Sequence, residues 1–388
     1  MRLSRMGIRG IGAVSGYGWG IDDLWKGVIS GETAARVHSG LGYRFPDPCW
    51  LARIPDDGTP ANGLSRYARA YVSAADEAIR DAYSRGWQPG RRVAVLTATT
   101  RADQELLRHL TAHFDEAEIR RRAYVQLTWT TPAYEVMKKH DFHGPALVIS
   151  AACTSGLHAM ATAQRLITLG DATDVVVVGL DSGYNAETMR SFHELGPLHF
   201  DTHPADVCRP FQDGSRGFVI GEAAAAVVLS ASVEDSYLSV SSTAFSSEAY
   251  HAVGIDPTHR MIKSTVDDAL TDAEITATDV ETYIAHATGT PGCARADEAV
   301  VAHLGTQVRA FGTKPLFGHC MAAANLLDTV LLARGHEEGF IPVPPPYPGA
   351  VRHPQLATAP LGPAAHTVQV GIGFGGNIGV AVYRAHQG

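Results

Sequence analysis

Short apolar runs rich in Val, Ile and Ala alternate along the chain with longer stretches of helical period. The short runs predict buried strands at 8–14, 92–98, 146–150, 175–180 and 223–229, each bounded by Gly, Asp or Ser. The longer stretches predict helices at 21–30, 66–84, 104–114 and 154–169. After about residue 235 the alternation starts again, with strand 238–243, helix 260–273, strands 282–286 and 308–311, helix 319–334, and closing strands 367–371 and 380–384. Such alternation is the pattern of α/β layering around a parallel or mixed sheet. The halves, 1–234 and 235–388, read as one unit used twice, without a clean sequence repeat. Two stretches resist the pattern. Residues 183–217 are rich in His, Pro and Asp with little periodicity, which predicts an irregular insertion beside a working surface, and 43–63 carries four prolines.

The 388 residues hold 45% hydrophobic and only 19% charged positions, the balance of a large buried core. Lys and Arg number 32 against 40 Asp and Glu, a net charge of −8, which argues against a protein that coats nucleic acid or an anionic membrane. No apolar run reaches the ~18 residues of a spanning helix. Five cysteines, an odd and sparse set, imply no disulfide framework, so a reducing cytoplasm is the expected compartment.

The segment ALVIS-AACTSG-LHAMATAQRLITLG reads as buried strand, sharp turn and helix, with Cys153 in the turn. Sulfur at the first turn of a helix faces unpaired N–H groups and the positive end of the macrodipole, which favour thiolate over thiol. The alternative, a small buried hydrophobe, stays open on this context alone.

In the second half TYIAHATGT delivers His286 at the carboxyl end of a strand, where open α/β sheets form their ligand crevice. AFGTKPLFGHCMAAANLLD delivers Lys314 and His319 at the start of an Ala-rich helix. Each half thus presents one reactive residue at a helix start. A zinc site from His286, Cys293, His319 and Cys320 lacks the usual paired spacing of ligands.

AACTSG, HATGT, GTKPLFGH and GIGFGG, in this order, resemble the β-ketoacyl-acyl carrier protein synthases, condensing enzymes of the thiolase superfamily. The resemblance covers nearly the whole chain. It implies a thiolase-like duplicated five-layered α/β/α/β/α sandwich that pairs with a second copy or a related chain. It assigns acylation to Cys153, paired imidazoles to His286 and His319, and a charged neighbour pair to Lys314 and Asp328, the latter where the family usually has Glu. Phe374 matches the gatekeeper phenylalanine, its N–H forming an oxyanion hole with that of Cys153. Thr288 and Thr290 fall among the substrate-binding or supporting positions. Carbon–carbon bond formation from a malonyl thioester needs an acyl group held covalently, loss of carbon dioxide, and a stabilised enolate. Two neutral imidazoles donating N–H to the thioester oxygen meet that need, with no metal and no redox cofactor.

Several positions depart from the family pattern. HATGT is followed by Cys293-Ala294, with Asp297 at a usual Glu position; GHCMAAAN replaces a glycine-rich run; Asn377-Ile378 follows the phenylalanine loop; and Asp213 and Arg216 are shifted by one residue. These changes point to a specialised enzyme of fatty acid or polyketide type. A thiolase would need a second cysteine near the carboxyl end, and the initiating ketosynthases carry Asn where His319 stands. Two alternatives remain: a chain-length-factor-like binding subunit and a non-decarboxylating acyltransferase. The partner implied is acyl carrier protein, whose acidic recognition helix must find local positive charge; Arg66 and Arg69, at the start of a predicted helix, are candidates for that patch.

Overall fold

The computed structural model describes residues 3–41, 47–56 and 65–386. Five strands of the first half are β1 (Met6–Ser15), β2 (Val93–Ala98), β3 (Ala146–Ile149), β4 (Asp174–Asp181) and β5 (Ala223–Ser230). They lie side by side as β3-β2-β4-β5-β1, with β2 parallel to both neighbours and β5 antiparallel to both of its own. The second half repeats this with β6 (Ser239–Ser247), β7 (Thr282–Ile284), β8 (Arg309–Phe311), β9 (His366–Gly373) and β10 (Asn377–Arg384), in the order β8-β7-β9-β10-β6 and with the same senses. Counted within each half, both orders are 3-2-4-5-1. The halves meet at Met6 beside Val240 and Gly7 beside Ser239.

Six of the helices carry the layering: α1 (Ile21–Ser30), α2 (Arg66–Ser84), α3 (Ser155–Leu169), α4 (Arg260–Ala273), α5 (Pro291–Leu304) and α6 (Ala324–Glu338). On the outer face of the first sheet, α2 lies across β1, β4 and β5. It comes so close that a Cβ on Gly10 would stand 2.1 Å from the Ala78 carbonyl oxygen. Ser65 caps it, its hydroxyl accepting from Ala68 N–H at 3.1 Å. Between the sheets lie α3, packed on strands of both halves, and α6, buried on nearly every face as a helix between two layers must be. Thr329 on α6 shares a hydrogen bond with Tyr383 of β10 (2.7 Å), which donates to Gln369 of β9 (2.6 Å). Outside the second sheet α4 covers β6 and β10, with α5 against α4. The result is the five-layered α/β/α/β/α arrangement.

Where expectation and structure differ, the cause is local. The helix expected at 319–334 starts only at Ala324, after a separate short helix Lys314–Phe317 and a 3-10 turn Met321–Ala323, because Gly318 (φ 72°) and Met321 (φ 44°) take left-handed conformations. The insertion at 183–217 is partly regular, with a helix Ala186–Glu194 capped by Asn185, whose side chain accepts from Thr188 N–H at 2.8 Å. The stretch 43–63 lies largely outside the described residues. Helices Ala117–Gln126, Thr131–His140 and α5 were not expected. The first is polar on most faces, and α5 opens on the capping Thr290 and first-turn Pro291, a start signal passed over beside the Gly/Thr-rich turn. Among the described residues no helix is long and apolar enough to cross a membrane.

Candidate active site

Strand β3 ends in a turn that reverses at Ala152 (φ 51°), a left-handed conformation costly for a residue with a Cβ. Local hydrogen bonds hold it. Ser155 Oγ accepts from Ala151 N–H at 2.9 Å and donates to the Ala152 carbonyl at 2.6 Å, and the Thr154 hydroxyl donates to the Ala151 carbonyl at 2.7 Å. Cys153 therefore stands just before α3 with its sulfur turned inward. The corresponding segment of the second half, between β8 and α6, carries His319. Its backbone is held by Val219 and Gly221: His319 N–H donates to the Val219 carbonyl (2.8 Å) and Gly221 N–H to the His319 carbonyl (3.1 Å). Only glycine fits at 221, where a Cβ would lie 2.1 Å from the Phe317 carbonyl oxygen.

These two turns place His319 Nε2 at 3.2 Å from Cys153 Sγ. The His286 ring meets the His319 ring edge to face, centroids 5.6 Å apart, and Phe218 packs against the His319 ring at 4.9 Å. Cys153, His286, His319, Thr288, Thr290 and Phe374 all line one cavity of about 70 Å³. The Phe374 ring stacks on Phe192, and the backbone N–H groups of Phe374 and Cys153 both act on the Cys153 sulfur. The two N–H groups expected for an oxyanion hole thus converge on the Cys153 sulfur.

Electrostatics correct one expectation. Burial pushes the Cys153 thiol up to about 12; Lys314 is the largest influence in the other direction, Asp181 adds to the rise, and the two backbone N–H groups oppose it. The helix start alone does not make a thiolate here. Burial, then Lys314, holds both histidines well below the ordinary imidazole value, so they are neutral near pH 7. Neither His286 Nδ1 nor His319 Nδ1 has a hydrogen-bond partner among the described residues.

Lys314 and Asp328 lie behind the site and do not line the cavity. The expected charged pair is loosened. The Thr313 hydroxyl donates to Asp328, and Lys314 Nζ has no hydrogen-bond partner among the described residues. Burial raises the Asp328 carboxyl to about 6, with Lys314 the largest opposing influence. Lys314 acts on the thiol and the imidazoles through its field.

Arg66 is not a solvated docking residue. Its side chain is 10% exposed and pairs with Glu105 at 2.6 Å and Glu222 at 3.1 Å. Arg69 is half-buried with its guanidinium over Trp19 at 5.7 Å.

Two positioning carboxylates were not among the expected site residues. Asp297, fully buried, accepts from His286 N–H (3.2 Å), Ala287 N–H (2.9 Å), Tyr283 O–H (3.0 Å) and Cys293 S–H (3.2 Å), and so fixes the loop in which Ala287 is left-handed (φ 56°). Asp181, at the end of β4, accepts from Ala322 N–H at 2.8 Å and the Thr100 hydroxyl at 2.9 Å, anchoring the turn after His319. The signal for Asp297 was its place on the family's acidic position; for Asp181 it was only an aspartate closing an apolar run.

Residues 4–235 match the family described as "Beta-ketoacyl synthase, N-terminal domain", and 237–345 match its C-terminal domain. The chain belongs to the β-ketoacyl synthase family. Among similar members are the tetracenomycin polyketide synthase ketoacyl synthase alpha subunit of Streptomyces glaucescens, 29% identical across 97% of this chain and 96% of that one, and 3-oxoacyl-[acyl-carrier-protein] synthase 2 of Coxiella burnetii, 26% identical across 85% of each. Of solved structures, a β-ketoacyl synthase from Burkholderia phymatum superposes with a TM-score of 0.84 over 99% of this chain and all of that one at 20% identity. A type II polyketide synthase acyl carrier protein in complex with its ketosynthase does so at 0.84 and 22%, over 99% and 100%. At these identities the structural likeness carries the thiolase fold.

Proposed function

We propose that this β-ketoacyl synthase catalyses decarboxylative Claisen condensation. An acyl group held on Cys153 is attacked by the enolate formed from a malonyl-type thioester on acyl carrier protein, in a specialised fatty acid or polyketide-type pathway. The observation that carries the reading is the Cys153–His319 contact at 3.2 Å with His286 edge-on to His319 in the same cavity. His319 accepts the thiol proton as the sulfur attacks the incoming thioester, and the N–H groups of Cys153 and Phe374 stabilise the tetrahedral oxyanion. As the tetrahedral intermediate collapses, His319 passes the proton to the departing carrier sulfur. Neutral His286 and His319, the latter then as its Nε2–H tautomer, donate N–H to the malonyl thioester oxygen while carbon dioxide departs, and the enolate carbon attacks the acyl carbon, expelling the Cys153 sulfur, which takes up a proton from solvent. Thr288 and Thr290, which line the cavity, support the arm of the substrate.

The working unit is a dimer, of two copies or of this chain with a related one. Edge strand β3 leaves Leu147 exposed, and the neighbouring helices expose Tyr124, Val125 and Tyr134. The two halves divide at 234/235. Cytoplasmic action fits five free, buried cysteines. Mass spectrometry after mixing with acyl-loaded carrier and malonyl-carrier tests the reading. Acylation of Cys153 followed by a product two carbons longer supports condensation. Acylation with transfer to another acceptor points to a plain acyltransferase, and no acylation points to a binding subunit.

A further inference from the structure

The cavity around Cys153 opens into an outer hollow of about 270 Å³, sharing Pro197, Val253, Gly254, Ile255, Thr290 and Phe374 with it. The lining of both is apolar or neutral, the two histidines being uncharged, with one exception among the described residues: Arg216, on the wall of the outer hollow. Arg216 is exposed, and no carboxylate among the described residues pairs with it. Its backbone is pinned, N–H donating to the Val207 carbonyl at 2.9 Å, and two residues on, Phe218 packs against His319. The nearby Asp213 carboxylate is engaged by Val351 N–H at 2.9 Å. His199, the other titratable side chain that Arg216 influences, is held below its ordinary value by burial and by Arg216 itself, so it stays neutral and adds no second cation beside Arg216. Among the described residues that line the two cavities, Arg216 is thus the one cation, at the mouth of the passage to Cys153, in a protein of net charge −8.

We infer that Arg216 is a specificity-determining residue that recognises the phosphodiester of the substrate's phosphopantetheine arm as its thioester end enters the Cys153 cavity. The inference deepens the condensing reading and rests on it only in taking the substrate to arrive on a carrier protein. A guanidinium pairs well with a phosphate through parallel N–H donors, and an apolar passage with one cation at its mouth sets the direction in which the arm threads. Arg216 thereby selects phosphorylated arms over otherwise identical neutral ones.

The test uses the whole protein and needs no turnover. Alkylation of Cys153 by iodoacetamide is followed by intact mass spectrometry in the presence of phosphopantetheine or of pantetheine, each with its thiol capped as the S-methyl ether so that it does not consume the reagent. Wild-type protein is expected to be protected at a roughly 3- to 10-fold lower concentration of phosphopantetheine than of pantetheine, a preference that shrinks with added salt. Arg216→Gln should abolish the preference, and Arg216→Lys should keep part of it; the site is exposed, so both variants should fold. Equal protection by the two compounds in wild-type protein, or a preference undiminished in Arg216→Gln, overturns the inference. Failure of the condensing reading shows separately. In that case malonyl-carrier is not decarboxylated, while an Arg216-dependent phosphate preference still supports arm recognition.

Discussion

Replacing His319 by Ala separates two ways in which Cys153 could become nucleophilic. With the thiol pushed up to about 12 by burial, the thiolate fraction at pH 7 is about 10⁻⁵, five pH units below the midpoint. A free thiolate population that small cannot support rapid acylation, so proton transfer to His319 Nε2, 3.2 Å away, must accompany attack. A positioned base of this kind contributes roughly 10²- to 10⁴-fold, and that is the expected loss in the acylation rate of His319→Ala. A second signature distinguishes the loss of a base from a loss of shape. In the variant, log rate should climb with a slope of about one between pH 7 and pH 9, because free thiolate becomes limiting, while wild-type acylation stays much flatter. His286, which meets the His319 ring and not the sulfur, should behave differently. His286→Ala should acylate within a few-fold of wild type and lose on the order of 10²-fold in carbon dioxide release, the scale of one missing oxyanion donor. Acylation is read by stopped mixing with an acyl thioester and intact mass spectrometry, and decarboxylation by labelled carbon dioxide from malonyl-carrier. If His319→Ala acylates at the wild-type rate with no added pH slope, the helix start and Lys314 suffice to ionise the thiol and the proton-transfer argument fails.

Three further outcomes are expected. Decarboxylation by wild-type protein should be level between pH 7 and pH 6, because burial and then Lys314 lower both imidazoles below 6.5 and the neutral, donating form persists as pH falls; a decline with an apparent midpoint near 6.5 in the rate profile would count against neutral histidines. Asp297→Asn should lower thermal stability by about 2–3 kcal/mol, since an amide cannot accept from every donor the buried carboxylate serves, whereas Ala287→Gly, freeing a left-handed backbone, should change it by no more than about 1 kcal/mol in the stabilising direction; thermal melts of both decide, and a harmless Asp297→Asn would remove the carboxylate as the anchor of the loop. Gly10→Ala should destabilise strongly because its Cβ would meet the Ala78 carbonyl at 2.1 Å, and an unchanged melting temperature would mean that α2 does not sit so close to β1.

Much of the scaffold is legible from hydrophobic period. Helices α1, α2 and α4 begin and end where their patterns do, and the long strands lie within about four residues of the apolar runs. That legibility has a physical basis, since strands and helices buried between layers must be apolar in a regular rhythm. Cys153, His286 and His319 were legible as residues at strand ends and helix starts. What the rhythm does not encode is contact between distant segments. Arg66 reads as a solvated first-turn cation, and only folding brings Glu222 beneath it. The continuous helix read through 319–334 fails because Gly318 and Met321 take left-handed conformations while His319 bonds to Val219, a neighbour a hundred residues earlier in the chain. The thiol of Cys153 illustrates the same limit, because a helix start is a local feature and burial is a global one.

The matching 3-2-4-5-1 orders bear on why this chemistry resides in one polypeptide. Cys153 follows the third strand of its half and precedes a central helix, and His319 follows the third strand of the other half and precedes the other central helix. The sulfur and the imidazole are therefore mates across an approximate two-fold axis. Two identical subunits meeting on a true axis would face sulfur with sulfur or imidazole with imidazole, because the symmetry forces the same residue onto both sides. Joining the units in one chain lifts that constraint, so that a symmetric framework can hold an unsymmetric pair, a thiol facing an imidazole.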